Sequence, residues 1–173
     1  MVRWTPLSNS QIGNIKFADF GLAKKASFMQ RRKSNTIVSL WYRAPEIILG
    51  SEDYLLGVDM WSMGCIFAEF YTLKPVYQSR NEFEALDRSF RILGYPTTTN
   101  APHLLDLPRL KDKFPTLTNY PVTKLGSSFT MIDNPLALDL LSKMMALDPR
   151  DRITAKEALR HEFFKPLTRQ QEL

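Results

Sequence analysis

Asp19-Phe20-Gly21-Leu22-Ala23-Lys24 opens, and Leu40-Trp41-Tyr42-Arg43-Ala44-Pro45-Glu46 closes, the stretch around which the chain is organised. Ahead of it, Ile15-Lys16-Phe17 alternates in the manner of a short strand, with Ile15 and Phe17 on one face. That strand delivers Asp19 to a backbone made pliable by Gly21, a placement suited to holding a divalent metal. Gly13-Asn14 supplies a β-hairpin turn just upstream. Residues 24–40 are rich in Ser, Asn, Lys and Arg and show no sustained period, so an exposed loop is expected there. Pro45 suits the first turn of a helix, and Gly50 ends it.

Downstream the chain reads as mainly α. Val58 to Tyr71 carries apolar residues on every face, the pattern of a helix enclosed by protein. Ser79-Arg80-Asn81-Glu82 has capping-box spacing, and Phe83, Leu86, Phe90 and Leu93 recur at helical intervals until Gly94. From Tyr95 to Asp133, Pro96, Pro102, Pro108, Pro115 and Pro121 interrupt any period, so a long irregular excursion with one helical turn is expected. Asn134-Pro135 then starts a helix that ends before Asp148-Pro149, and Thr154-Ala155-Lys156-Glu157 repeats the capping box for a last helix near His161.

The bulk numbers exclude several classes. A chain of 173 residues with 44% apolar and 24% charged content suits one soluble globular domain. The net charge is +5, but Lys and Arg are dispersed apart from Arg31-Arg32-Lys33, so nucleic-acid binding is not expected. Cys65, the single cysteine, lies in an apolar run, which excludes an internal disulfide and points to a packed thiol in a reducing compartment. No signal peptide and no apolar stretch of membrane-spanning length is present, so an intracellular, membrane-free protein is expected, nucleus or cytoplasm undecided.

The Asp-Phe-Gly and Ala-Pro-Glu signatures, with a phosphorylatable hydroxyl between them, resemble the activation segment of a eukaryotic Ser/Thr protein kinase. Asp59-Met60-Trp61-Ser62-Met63-Gly64 is similar to that family's central-helix motif, and Asp148-Pro149-Arg150-Asp151-Arg152 to its last segment. Over residues 7–166 the chain resembles the C-terminal lobe of such a domain, built around a buried central helix, with a small β element at its N-terminus. Within that span fall the segment 19–46, the central helix 58–71, a long insert 95–133 and the last helices 134–161; residues 1–6 do not match and 167–173 form a tail. Leu40 to Gly50 and the long excursion resemble cyclin-dependent kinases, and Leu107-Pro108-Arg109-Leu110-Lys111 with 114–129 resembles their PITSLRE subgroup.

The resemblance implies roles. Asp19 matches the magnesium ligand that bridges the phosphates of ATP. Ser34 falls where the family carries its activating phosphate, a gain of about 1.5 to 2 negative charges. An unmodified Ser in a solvated basic loop is the equal reading. Lys24 matches a phosphate-clamping Arg position, but an ammonium lacks the bidentate fork. Ser39, Trp41 and Arg43 match the wall that reads the residue after the phosphoacceptor, implying Ser/Thr-Pro protein substrates. Trp41 and Tyr42 read equally as core aromatics. Asp59 would brace the catalytic loop, and Glu46 would pair with Arg152. His103 and His161 have no partner spacing for a metal or a triad and read as structural.

The sequence holds no Gly-x-Gly-x-x-Gly and no His-Arg-Asp, and Asn9 lies too close to Asp19 to serve as the second metal ligand. ATP and magnesium are therefore expected of a full-length parent, with a cyclin as its possible partner, while this chain alone is expected to bind neither cofactor, to meet a cyclin only doubtfully and to be inactive. The alternative is a non-catalytic, pseudokinase-like module that competes for substrates or partners.

Overall fold

The computed structural model describes residues 2–3, 16–20, 39–52, 56–112, 114, 116–117, 120–121 and 125–168. Strand β1 (Val2–Arg3) pairs antiparallel with β2 (Lys16–Phe17), with Val2 opposite Phe17 and Arg3 opposite Lys16. The β element thus draws in residues that fall outside the family resemblance. Gly13-Asn14, the expected turn, and Ile15 lie outside the described residues.

A 3-10 turn over Leu40–Tyr42 leads into α1 (Pro45–Ile48), with Pro45 in the first helical position where its missing N–H costs nothing. Gly50, at φ +88°, turns the chain out of that helix in a conformation open to glycine. The core helix α2 (Gly57–Thr72) buries Met60, Trp61, Gly64, Cys65 and Ala68. Gly64 lets it approach α7 (Pro135–Met144), because a Cβ there would stand 2.7 Å from Met145 Cγ. The expected core helix is present, with Phe70 its one exposed large apolar residue at 51%, and Leu56 and Leu73, which flank it, are also exposed. Apolar residues on every face therefore mark more surface than the described residues cover.

Helix α3 (Glu82–Leu93) begins two residues later than the capping-box reading implies. Asn81, not Ser79, is the cap: its Oδ1 accepts from the backbone N–H of Glu84 at 2.9 Å, and Glu84 Oε2 reaches back to the N–H of Arg80 at 2.9 Å. Two overlapping polar pairs share this stretch, and the pair that aligns the apolar face of Leu86 and Phe90 with the core prevails. Gly94, at φ +91°, stops the helix.

The excursion is more ordered than its prolines suggest. It contains α4 (Pro102–Leu105), α5 (Pro108–Asp112) and α6 (Leu125–Ser128). Pro102 and Pro108 each open a helix instead of breaking one. Leu104, Leu107, Leu110, Phe114 and Leu117 pack with Ile48, Leu49, Leu86 and Phe90 into a second core cluster. Asn134 caps α7, and Thr154 and Glu157 form a reciprocal capping box on α8 (Ala155–Ala158). His161 follows as cap of a 3-10 turn, its Nδ1 accepting from Phe163 N–H at 3.3 Å, before α9 (Lys165–Thr168). Among the described residues no helix is long and apolar enough to cross a membrane.

Candidate functional site

The far end of the segment is held by a single guanidinium. Arg152 Nη1 and Nη2 donate to Glu46 Oε1 and Oε2 at 2.5 and 2.7 Å, with side-chain exposures of 0% and 1%. Its other donors go to the carbonyls of Ala146 (2.9 Å), Gly57 (3.1 Å) and Leu147 (3.4 Å). A guanidinium has five N–H bonds, so every one has an acceptor. One side chain therefore ties α1, the start of α2 and the stretch after α7 together. The indole of Trp61 lies 5.0 Å below the cation, and Tyr77 stacks on that indole at 5.4 Å. Burial of two charges is tolerated here because each is fully paired.

Above this anchor the proposed wall is fixed from several sides. Trp41 Nε1 donates to the carbonyl of Ser79 at 2.8 Å, and Ser62 Oγ donates to the carbonyl of Tyr42 at 2.8 Å. Tyr42 OH donates to Glu69 Oε2 at 3.3 Å, and Arg43 meets Glu82 Oε1 at 3.1 Å. Burial, aided by the hydrogen bond and negative charge of Glu69, pushes the Tyr42 phenol up to about 12. Ser39 is exposed, while Trp41 and Arg43 are half-buried, so this short run presents polar tips from a rigid base. Glu82 and Glu69 escape the sequence reading because their partners lie 39 and 27 residues away.

The opposite end differs. Asp19 is exposed and sits at φ +65°, a left-handed conformation that Asp tolerates better than most residues. Phe17 and Phe20 beside it are each 70% exposed. Among the described residues there is no group of three or more His, Cys, Asp or Glu able to hold a metal. Asp19 fits magnesium only as one carboxylate among ligands drawn mainly from substrate phosphates and water, the usual coordination for that ion. Lys24 and Ser34 lie outside the described residues. Asp59 is an exposed residue in the first turn of α2, where its charge suits the helix dipole.

Other reactive groups are structural. Cys65 is fully buried, and burial raises its thiol far above the ordinary range, so it is not a nucleophile. His161 contacts Asp139 at 2.8 Å on the flank of α7, and His103 contacts Arg150 at 3.1 Å.

Comparison with known proteins settles the family. Residues 7–164 match the family model described as Protein kinase domain. The chain belongs to the protein kinase family. Among solved structures it is similar to a chain in the crystal structure of the yeast RNA Pol II CTD kinase CTDK-1 complex, with 34% identity and a TM-score of 0.81. That likeness covers 88% of this chain and 50% of the other, so the protein spans half the length of the kinase chain it matches.

Proposed function

We propose that this chain is the helical, C-terminal half of a cyclin-dependent-type Ser/Thr protein kinase, nearest the PITSLRE subgroup, and that it presents the substrate-reading end of an activation segment. The observation that carries the reading is the Glu46–Arg152 pair, which ties that end to three separate parts of the helical body. In this reading Ser39, Trp41 and Arg43 receive the residue after a Ser or Thr, and proline is the residue that fits. Asp19 contributes one magnesium ligand, with ATP supplying the phosphates and the transferable phosphoryl group. Ser34 is the switch whose phosphate is gripped weakly by Lys24. Likeness to a kinase that was solved as a complex supports protein substrates and a cyclin-like partner for a longer parent.

The chain by itself does not transfer phosphate, because the 173 residues include no glycine-rich loop and no His-Arg-Asp base. A non-catalytic role as a module that competes for substrates is the second reading, favoured by a built wall and by an exposed Asp19 that joins no metal-holding group among the described residues. The deciding experiment incubates the purified chain, and a chimera extended by the upstream half of a related kinase, with magnesium, labelled ATP and Ser-Pro or Ser-Ala peptides. The chain should give no transfer above its Asp19→Asn variant, and the chimera should prefer Ser-Pro and lose at least about 100-fold with Asp19→Asn. Transfer by the chain above the variant, or a folded chimera indifferent to Asp19 and to proline, would overturn the proposal.

A further inference from the structure

The turn that follows α8 is fastened by one imidazole. His161 is buried, with 6% of its side chain exposed, and both of its ring nitrogens are engaged. Nδ1 lies 3.3 Å from the backbone N–H of Phe163. An amide nitrogen only donates, so Nδ1 holds a lone pair and the ring proton belongs to Nε2. From Nε2 that proton meets Asp139 Oδ2, 2.8 Å away on α7. The same oxygen receives Lys143 Nζ at 2.6 Å, and Nζ stands 3.2 Å from Nε2. A neutral ring therefore caps the 3-10 turn Glu162–Phe164 and ties it to α7. What it fastens is apolar. The Phe163 ring meets Phe67 of α2 at 5.3 Å and Phe164 at 5.0 Å, over a cluster of Met60, Leu140 and Met144.

From this arrangement we infer that His161 is an acid-sensitive latch, in which a second ring proton releases the turn Glu162–Phe164 from α7. The incoming proton can enter only at Nδ1, where it faces the Phe163 N–H, donor against donor, and the cap is lost. The new charge gains little in return. Asp139 would attract it, but the Lys143 ammonium stands almost as near and opposes it, and the ring has little contact with water. Among the other described charges, Glu162 on the turn is bonded to Lys165, Glu157 of α8 is turned to Thr154, and the exposed Arg160 adds only positive charge. On the remaining side α2 meets the turn through Phe67. Hydrogen bonding from Lys143, and less from His161, holds the Asp139 carboxyl below its ordinary value, so Asp139 stays ionised where imidazoles change charge. Uptake of a proton thus costs the closed turn more than the opened one, and the turn loosens as pH falls. The latch does not depend on the proposed function.

The test uses the full 173-residue chain, whose two histidines make ring assignment simple. Nitrogen NMR of the histidine-labelled chain should show His161 with its proton on Nε2 and a bare Nδ1 at about pH 7.5. Hydrogen exchange, corrected for intrinsic rates, should show the Phe163 and Phe164 amides losing at least about fivefold protection at about pH 5.5, while Leu140 and Leu141 of α7 keep theirs. His161→Asn retains an acceptor for the Phe163 N–H that does not titrate, so its turn should be held equally at both pH values. Lys143→Met removes the opposing charge and should shrink the acid loss to within about twofold. Far-UV circular dichroism checks that each variant is folded, and the unaltered chain and Lys143→Met decide the matter if His161→Asn is not. Equal protection of the turn at both pH values, a proton on Nδ1 at the upper pH, or loss shared evenly with α7 would overturn the inference. So would an undiminished acid loss in folded His161→Asn or Lys143→Met.

Discussion

Asp19 and Glu46 are the two carboxylates that bound the proposed activation segment, and the molecule treats them in opposite ways. Glu46 is 1% exposed and bonded through both oxygens to an arginine that has no free donor. Asp19 is exposed, in a left-handed conformation, between two largely exposed phenylalanines. The difference separates two uses of the same functional group. A carboxylate whose partner is fixed in the fold works as structure, and one held open to solvent keeps its lone pairs for an incoming cation. The end proposed for recognition is thus built, and the end proposed for the metal is exposed.

The largest effect that would break this comparison is on the anchor. Arg152→Met strands the Glu46 charge in the core and should cost about 3 to 5 kcal/mol in urea unfolding. A loss below about 1 kcal/mol would mean that the pair does not hold the recognition end. Next in size is the cap beside the wall. Asn81→Ala should destabilise by about 1 kcal/mol, because it removes the acceptor for the Glu84 N–H. Ser79→Ala should be close to neutral, since the buried Ser79 hydroxyl has no hydrogen-bond partner among the described residues. The reverse order would move the start of α3 back to the capping box suggested by Ser79 and Glu82.

A smaller effect is visible in pH. The Tyr42 phenol, raised to about 12 by burial and then by Glu69, is neutral in the folded chain when ordinary tyrosines ionise near 10. A raised phenol pKa stabilises the fold fully below about pH 10 and loses that contribution as pH climbs toward 12. Ultraviolet titration should show Tyr42 and the buried Tyr77 lagging the rest, and Glu69→Gln should bring Tyr42 alone forward. The smallest effect belongs to Asp19. Asp19→Asn should change stability by less than about 0.5 kcal/mol, as expected of an exposed side chain, and thermal melting reads it. A large loss would show that Asp19 is structural after all, and the contrast with Glu46 would collapse.

Local signals made the helices legible. Pro45, Asn134 and Thr154 each stand where a helix start demands them, and Gly50 and Gly94 stand where a helix must stop. The excursion after Gly94 was hidden because its order comes from Leu104, Leu110 and Phe114 packing on α1 and α3, contacts that prolines in the local sequence obscure. Sequence alone could not choose between Ser79 and Asn81, since both head plausible caps and the tertiary fit of α3 decides. Glu46 and Arg152 stand 106 residues apart, so only likeness to a known family brings them together on paper. The Glu82 bridge between Arg43 and Arg109 had no such likeness to reveal it.

Amide hydrogen exchange on the unmodified chain tests the division between a built end and a presented end most directly. Amides of residues 47–49, bonded within and around α1, should exchange at least about 100-fold more slowly than those of residues 16–20, in keeping with opening that requires the Glu46–Arg152 pair to break. Equal, rapid exchange in both stretches would contradict the account, because the end held by Arg152 would then be no better fixed than the end that carries Asp19.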